Sequence, residues 1–223
     1  VEMTDPDLGP CLSIHIAESP EKAVKERAQD GGAVTAMLKT LLEYEYVDGA
    51  IVTGAGAEPL RPEGKVITTP DEAEEYAGSK YCRGPLFTAV RKAIRHYGRS
   101  QLALVGLPCQ IATLRRIQTS NPTNRQLAES VKLAIGLFCE GAFQYRFFRE
   151  VVEGQARIPL AEVERVEVSG DKVIVYRMQK PPREIALAIA KKYIDLACRV
   201  CTDFSAVLAD ISVGAAGSPK GKS

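Results

Sequence analysis

Residues 102–109 (LALVGLPC) and residues 133–139 (LAIGLFC) decide the fold, because each is an apolar run that ends in the same pattern, Gly-Leu-x-Cys. The two closing cysteines, Cys109 and Cys139, are thirty residues apart, which is about the length of one strand–helix–strand unit. If the runs form neighbouring parallel strands, both thiols emerge at the carboxyl edge of one sheet. Open α/β sheets bind their ligands at that edge. The repeat therefore predicts an α/β fold with two thiols at its ligand-binding edge.

Strands and helices alternate on both sides of these runs. Apolar spacing of three and four residues favours helices, and alternating or β-branched runs favour strands. Further strands are predicted over residues 12–17, 48–53, 66–68 and 209–213. Helices are predicted to begin at Ser19 and Thr69 and to cover residues 33–44, 86–97, 110–117 and 143–152, with a loop over 54–64 and a turn around 121–122.

The fold class that follows is α/β, with a mostly parallel or mixed sheet flanked by helices. Residues 163–168 and 172–177 form a small β-hairpin insertion, and a cysteine-ligated cluster is expected at the sheet edge. Residues 1–223 are expected to form a single flavin/iron–sulfur domain once the resemblance described below is considered. Because the chain begins with Val1 and residues 217–223 follow directly on a strand-like segment, we also expect a fragment or an early-terminated form.

The composition argues against several classes of protein. With 29 basic and 28 acidic residues the formal net charge is +1, which gives no reason to expect nucleic acid or an anionic membrane as a partner. No apolar run approaches the ~20 residues that a membrane helix needs, so no membrane span is predicted. Six cysteines without a secretory signal indicate a cytoplasmic protein with free thiols or metal ligands rather than disulfides.

Two further cysteines complete a candidate metal site. Cys198 and Cys201 form a Cys-x2-Cys pair near the C-terminus, and together with Cys109 and Cys139 they supply the four thiolates that a [4Fe–4S] cluster needs. Cys109 follows a proline that suits the first turn of a helix, where a thiol pKa is lowered. A zinc site would use the same four ligands, so the spacing alone leaves both metals open.

The other two cysteines are expected to lie outside this site. Cys11 lies at the start of a predicted strand, and Cys82 lies just before a predicted helix. A free cysteine is among the most buried residue types, so a structural role is the simpler interpretation for both.

Three segments are candidates for binding phosphate or a flavin. Residues 29–32 (QDGG) open a helix whose backbone N–H groups favour an anion, although an ordinary turn between helices has the same sequence. Residues 79–81 (SKY) offer a hydroxyl, a cation and a phenol, and residues 214–217 (GAAG) follow a strand. Neither a Gly-x-Gly-x-x-Gly motif after the first strand nor a Walker loop is present, so a standard dinucleotide fold is not supported.

Taken together and in order, these motifs resemble the coenzyme F420 hydrogenase/dehydrogenase beta subunit family. The resembling segments are AQDGGAVTAML (28–38), DGA (48–50), GSKY (78–81), GLPCQIATLR (106–115), GLFCEG (136–141) and CRVCTDFSAVLADISVG (198–214). They extend over nearly the whole chain. The joint set is much more specific than any one of its motifs.

The resemblance implies an electron-transfer subunit that binds a [4Fe–4S] cluster and FAD and that exchanges a hydride with the deazaflavin coenzyme F420. The implied electron partner is the catalytic subunit of a hydrogenase or of a formate dehydrogenase. The implied cluster ligands are Cys109, Cys139, Cys198 and Cys201. The implied flavin-binding residues are Asp30, Gly31, Gly32, Thr35, Ser79, Lys80 and Tyr81, with Gln110 and Gly214 as further candidates. A flavin is required because clusters move one electron, whereas a deazaflavin accepts a hydride.

This chain departs from the family at both ends. It begins after the position of the ferredoxin-like domain that some relatives carry, so a single cluster is implied. It stops before the strand and helix that continue the family pattern. The alternatives are a ferredoxin-dependent flavin/iron–sulfur reductase of another substrate, or a non-catalytic zinc or iron–sulfur scaffold subunit.

Overall fold

The structure is a computed structural model, and it describes residues 3–5, 9–120 and 125–215. The strands are β1 (Met3–Asp5), β2 (Gly9–Cys11), β3 (Gly49–Ala55), β4 (Pro62–Ile67), β5 (Leu102–Gly106), β6 (Val131–Leu137), β7 (Val163–Ser169), β8 (Lys172–Arg177), β9 (Lys180–Ala186) and β10 (Ile211–Val213). The α-helices are α1 (Lys22–Arg27), α2 (Ala33–Glu43), α3 (Glu72–Glu75), α4 (Leu86–Tyr97), α5 (Pro108–Ser120), α6 (Arg125–Ser130) and α7 (Leu187–Ala190). A π-helix covers Phe148–Gln155, and 3-10 helices cover Leu160–Glu162, Lys191–Tyr193 and Leu196–Val200.

The central sheet is mixed, with the strand order β10–β6–β5–β3–β4. Strands β10, β6, β5 and β3 are parallel, and β4 is an antiparallel edge strand. In the β5–β6 pair, Gly106 lies opposite Gly136, so the two Gly-Leu-x-Cys patterns leave the sheet side by side. The predicted pairing of residues 102–109 with 133–139 is thereby confirmed.

Helices cover both faces of this sheet. Alternate residues of a strand point to opposite faces, so Leu102 and Leu104 pack in one buried cluster with α4, α5 and α6, whereas Ala103 and Val105 pack in another with α2 and α3. The amphipathic α4 has the predicted bounds, and it ends at Gly98, whose φ of 63° is the left-handed conformation that favours glycine after a helix.

A separate antiparallel sheet, β7–β8–β9, lies between β6 and β10 in the chain. It packs with the π-helix around a third buried cluster that contains Phe147 and Val173. The hairpin predicted over 163–168 and 172–177 is confirmed, and β9 adds a third strand that the sequence pattern did not indicate. The predicted fold class is thus correct for the mixed, helix-flanked sheet.

The strand predicted over residues 12–17 is wrong. The segment has no regular secondary structure, and β2 ends at Cys11, just before it. Leu12 and Ile16 are 84% and 91% exposed, so the apolar alternation faces solvent instead of a core. Alternation creates a strand only where a partner strand and a buried face are available.

The loop predicted over residues 54–64 is wrong at both ends, because β3 extends to Ala55 and β4 begins at Pro62 and pairs along β3. The backbone N–H of Gly56 donates to the carbonyl of Arg61 at 2.8 Å and closes the turn between the two strands. Gly64 belongs to β4, where a Cβ atom would lie 2.9 Å from the Cβ of Ala89 on α4. This glycine permits a close approach of helix and sheet, and it is not a loop signal.

Two predicted helices differ in length or type. The helix expected from Thr69 shortens to the single turn of α3. In the helix expected over 143–152, the backbone N–H groups of Phe143 and Gln144 donate to the carbonyls of Tyr81 and Tyr193, so the regular helix starts later, with π geometry. The turn around 121–122 and the tail at 217–223 lie outside the described residues.

Candidate functional site at the carboxyl edge of the sheet

Four cysteines line one cavity at the carboxyl edge of the central sheet, and we call it the cysteine cavity. Its volume is about 220 Å³, and its walls include Cys109, Cys139, Cys198 and Cys201. All six cysteines of the chain are free thiols. Neither Cys11 nor Cys82 contributes to the lining. Cys82 is only 6% exposed and belongs to the third buried cluster.

The two sheet-borne cysteines are positioned by the strands that precede them. Cys109 is the second residue of α5, which begins directly after β5 and the residue Leu107. Cys139 follows β6, and its backbone N–H donates to the carbonyl of Phe204 at 2.9 Å. This bond fastens the segment after Cys201 to the sheet edge. Both thiols therefore occupy the edge that the Gly-Leu-x-Cys repeat predicted.

The Cys-x2-Cys pair lies on a short 3-10 helix, Leu196–Val200, and at its C-cap. Asp195 caps that helix: its carboxylate accepts the backbone N–H of Ala197 at 3.1 Å, and its carbonyl accepts that of Cys198 at 2.9 Å. The thiol of Cys201 donates weakly to the carbonyl of Asp203 at 3.7 Å. A side-chain cap of this kind fixes the start of the helix and hence the position of Cys198.

Burial raises the pKa of the Cys139 thiol, and the neighbouring Cys198, Cys109 and Cys201 raise it further when they are ionised. The backbone N–H of Gly141 opposes this effect through a hydrogen bond. The mutual influence shows that the four sulfur atoms share one electrostatic environment. Four thiolates would repel one another there unless a positively charged group lay between them.

A cation stands at the wall of the cavity. The Arg83 guanidinium forms an ion pair with Asp195, and Arg83 and Cys109 both line the cavity. Burial lowers the pKa of Arg83, but Asp195 and Cys109 raise it more, so the side chain remains charged. Sequence reasoning missed Arg83, Asp195 and Phe204 as site residues. The pairing of Arg83 with Asp195 joins positions 112 residues apart, and no local pattern indicates such a contact.

Within the described residues, no three or more His, Cys, Asp or Glu side chains already stand so that they could hold a metal ion. A single tetrahedral zinc requires each sulfur about 2.3 Å from one point. The four cysteines line one cavity but are not arranged in this way.

The part of the chain that the structure describes also contains no helix with both the length and the apolar character needed to cross a bilayer.

The first of the candidate flavin loops lies at the start of α2. Gly32 is the N-cap residue, with a φ of 74°, and a Cβ atom on it would lie 2.8 Å from Val24. The Gly31 carbonyl accepts the backbone N–H of Ser19 at 2.7 Å. Thr35 is buried in the first turn of the helix. These contacts explain why both residues are glycines, because the turn is tight and closely packed. The turn also places its backbone at the start of α2.

The second candidate loop, residues 78–81, is largely held by its own side chains. Lys80 donates to the carbonyls of Tyr76, Ala77 and Gly78 at 2.7, 2.9 and 2.8 Å. The Tyr81 hydroxyl accepts the backbone N–H of Val168 at 3.0 Å.

Ser79 is exposed at the tip of this second loop. Burial raises the pKa of Tyr81, and the charges of Glu167 and Asp30 add to that effect. A Cβ atom at Gly78 would lie 3.5 Å from the carbonyl oxygen of Arg27 on α1, so the second loop packs against the end of the helix that precedes the first.

The remaining two candidates, Gln110 and Gly214, lie at the same sheet edge as the cysteines. The Gln110 side chain accepts the N–H of Leu107 at 2.9 Å and donates to the carbonyl of Gly84 at 2.8 Å. Gly214 follows β10, and a Cβ atom there would overlap the ring of Phe138. The hydrogen bonds of Gln110 and the close packing at Gly214 therefore account for both residues without a ligand.

The fold and the cavity together define an α/β protein with a cysteine-lined cavity at the edge of its sheet. The family model for the N-terminal part of the coenzyme F420 hydrogenase/dehydrogenase beta subunit matches residues 14–91, and the family model for the C-terminal part matches residues 99–223. The chain belongs to the coenzyme F420 hydrogenase/dehydrogenase beta subunit family, as its motifs predicted.

Known proteins similar to this chain agree with that assignment. The beta subunit of coenzyme F420 hydrogenase from Methanosarcina barkeri is 33% identical, over 97% of this chain and 75% of its own length. A chain of the F420-reducing [NiFe] hydrogenase complex from the same organism has a similar structure, with a TM-score of 0.87 at 31% identity over 97% of this chain and 75% of that one. A coenzyme F420-dependent sulfite reductase from Methanocaldococcus jannaschii is 37% identical over 87% of this chain but only 32% of its own length. The family thus contributes to more than one kind of F420-dependent oxidoreductase.

Proposed function

We propose that this chain is the electron-transfer beta subunit of a coenzyme F420-dependent oxidoreductase. It would pass electrons between a [4Fe–4S] cluster and FAD and would exchange a hydride with coenzyme F420. Its electron partner would be the catalytic subunit of a hydrogenase or a formate dehydrogenase. The similarity to the F420 hydrogenase beta subunit supports this proposal along nearly the whole chain.

One observation carries the proposal: four free cysteines from three separate segments line a single cavity. Thiolates are the usual ligands of iron–sulfur clusters, and four of them complete the ligand set of a [4Fe–4S] cluster. A single zinc ion would use the same four ligands, so metal analysis has to distinguish the two.

The residues of this chain would bind and orient the two groups. Cys109, Cys139, Cys198 and Cys201 would hold the cluster, with Asp195 fixing the helix that carries Cys198. When bound, FAD would supply the conversion between single electrons and a hydride that coenzyme F420 requires. Asp30, Gly31, Gly32, Thr35, Ser79, Lys80 and Tyr81, with Gln110 and Gly214, remain the proposed flavin-binding residues.

The orientation of the flavin-binding loops would follow from contacts that are already in place. Lys80 donates hydrogen bonds to carbonyl groups at the end of α3, and these bonds stabilise the backbone conformation of its loop. We therefore propose that flavin binding uses mainly backbone N–H groups and the exposed Ser79, with Lys80 as an internal support. The glycines of the first loop would allow the close approach that such backbone contacts need.

Metal and flavin analysis of anaerobically purified protein tests the proposal. We expect iron and acid-labile sulfide in a four-to-four ratio, a visible absorption that dithionite bleaches, and releasable FAD. Cys198→Ser should lose the cluster, whereas the matched control Cys11→Ser should keep it. A colourless protein with one zinc ion per chain would exclude the cluster and would favour a scaffold subunit. Oxidation of the reduced deazaflavin coenzyme by the loaded protein would then establish the substrate.

The sulfite reductase relative supports a second candidate within the same chemistry, a flavin/iron–sulfur reductase that acts on another substrate. In that protein the similar region occupies about a third of the length, so other segments accompany it. The two candidates differ in the partner of the flavin and not in the cluster. Reduction of the loaded protein by ferredoxin, with no response to the deazaflavin coenzyme, would favour the second candidate.

A further inference from the structure

Arg83 differs in charge from its neighbours at the cysteine cavity. Among the described residues that line the cavity, it supplies the positive charge, whereas Glu140 and Asp203 are acidic. Arg83 follows Ser79, Lys80 and Tyr81 closely in the chain. This segment therefore connects the proposed flavin loop with the cavity. The function proposed above assigns the cysteines and the flavin loops but leaves Arg83 without a role.

The contacts of Arg83 connect two parts of the site. Its guanidinium is ion-paired with Asp195, which caps the 3-10 helix that carries Cys198. Arg83 also lines the cysteine cavity together with Cys109, the second residue of α5. Arginine retains its charge at any pH at which proteins are folded. A permanent positive charge is thus fixed beside one proposed ligand and linked to the support of another.

We propose that Arg83 is a positioning residue that raises the reduction potential of the group bound by the four cysteines, through its charge beside Cys109. This inference rests on the proposed function, since it requires a cluster at that site. Reduction adds one electron, supplied by dithionite in the test, and neither makes nor breaks a bond. The added negative charge is stabilised by a nearby cation.

The size of the effect follows from partial exposure. The Arg83 and Asp195 side chains are 37% and 29% exposed, so solvent screens their charges without removing them. We expect the equilibrium constant for one-electron reduction to fall about tenfold when the Arg83 charge is removed, which corresponds to about 59 mV for a one-electron couple.

Two variants break the same ion pair but change the charge in opposite directions. Arg83→Gln removes the cation and should lower the potential, whereas Asp195→Asn removes the anion and should raise it. Asparagine still caps a helix, so the support of Cys198 persists in the second variant. Arg83→Lys keeps the charge and should fall close to the wild type. The potentials would be measured by dithionite titration of the visible absorption.

A matched control is the Arg115–Asp210 ion pair, 2.7 Å long, which joins α5 to the segment before β10 and does not line the cavity. Arg115→Gln should leave the potential unchanged. The inference is overturned if Arg83→Gln has the wild-type potential, or if the Arg83 and Asp195 variants shift in the same direction, as a purely structural pair would. If Arg83→Gln fails to retain the cluster, the other two variants test the inference. Asp195→Asn should then have a higher potential than the wild type, and Arg83→Lys a potential close to it; any other result overturns the inference. A wild-type protein without iron and sulfide refutes the proposed function itself.

Discussion

The cysteine cavity and the pair of candidate flavin loops are built in opposite ways. At the cavity, functional side chains face an open volume, and the bond of the Cys201 thiol to a carbonyl is weak, at 3.7 Å. At the loops, Lys80 and Tyr81 are already hydrogen-bonded to backbone groups of the protein. One region therefore keeps its side chains available for a ligand, whereas the other uses them to shape its backbone. Substitutions should accordingly remove a ligand in the first region and stability in the second.

The largest expected effect is the loss of the proposed [4Fe–4S] cluster from the cavity. Cys139→Ser removes a ligand that burial and three neighbouring thiols already influence, so cluster content should fall to near zero. The unfolding free energy of the metal-free protein should change by less than about 1 kcal/mol, because the side chain is only partly buried. Iron and sulfide content and urea unfolding of the metal-free protein measure the two quantities.

Cys82→Ser is the matched control for that variant. Its thiol is buried in the third cluster, where burial raises the pKa to about 12. We expect the cluster to be retained and the unfolding free energy to fall by about 1–3 kcal/mol, because a hydroxyl would be buried in an apolar environment. Cluster loss in both variants would show that stability, and not ligation, controls cluster content.

The next largest effect concerns stability, and it depends on the backbone packing of the segment that follows Cys201. A Cβ atom at Gly136 would overlap Ala206 and would lie 2.8 Å from Ala209, so glycine allows the segment after Cys201 to lie on β6. Gly136→Val should lower the unfolding free energy by about 2–4 kcal/mol through overpacking. Urea denaturation measures the change.

Gly170→Ala is the comparison variant for Gly136. Gly170 also lies outside a helix, but no atom lies within 4 Å of its Cβ position, and its φ is 59°. Only backbone strain opposes alanine there, so we expect a cost of about 1 kcal/mol. An equal cost at both positions would contradict the packing explanation.

The sequence predicted the cavity edge well because the relevant signals are local. The repeat over 102–109 and 133–139 encodes two buried strands and the cysteines that follow them, and parallel pairing puts both at one edge. The same holds for α4, whose apolar spacing and Gly98 stop define its bounds. Where a segment carries its own periodicity and its own end signal, the fold could be predicted.

Contacts between distant segments could not be predicted in this way. Arg83 meets Asp195 across 112 residues, and neither neighbourhood shows a periodic pattern. Lys80 was expected to offer a cation to a ligand, but it donates to three carbonyls in the segment that follows α3. The sequence does not indicate these bonds, because they depend on where α3 ends. The 12–17 segment fails for the converse reason, because its alternation lacks a buried face. The cluster and flavin assignments remain predictions for these residues.

A smaller effect at the loops concerns Lys80 and pH. Burial lowers the pKa of Lys80 to about 8 from 10.5. Between these values the unfolded chain binds more protons than the folded one, so the Lys80 contribution to stability increases as the pH rises. We expect the unfolding free energy of the wild type to gain about 2 kcal/mol over Lys80→Met across that interval. The two proteins must be compared in urea at each pH, so that the other titrating groups contribute equally to both. A constant difference would show that Lys80 has its ordinary pKa.

The smallest expected effect concerns Glu72, which holds the turn before the second loop. Its carboxylate accepts the backbone N–H groups of Thr68 and Thr69 at 2.7 and 3.0 Å, and the bond from Thr68 is the main reason why its pKa is below 4.5. The stabilisation is present above the unfolded-state pKa and disappears as the pH falls through the folded-state value. Glu72→Gln retains an acceptor oxygen but loses the charge, so it should cost about 1 kcal/mol at neutral pH and nothing in acid. Unfolding free energies measured at both pH values check this expectation. The cavity should not respond: if Glu72→Gln changed cluster content, the two regions would not be independent, and their contrast would have to be abandoned.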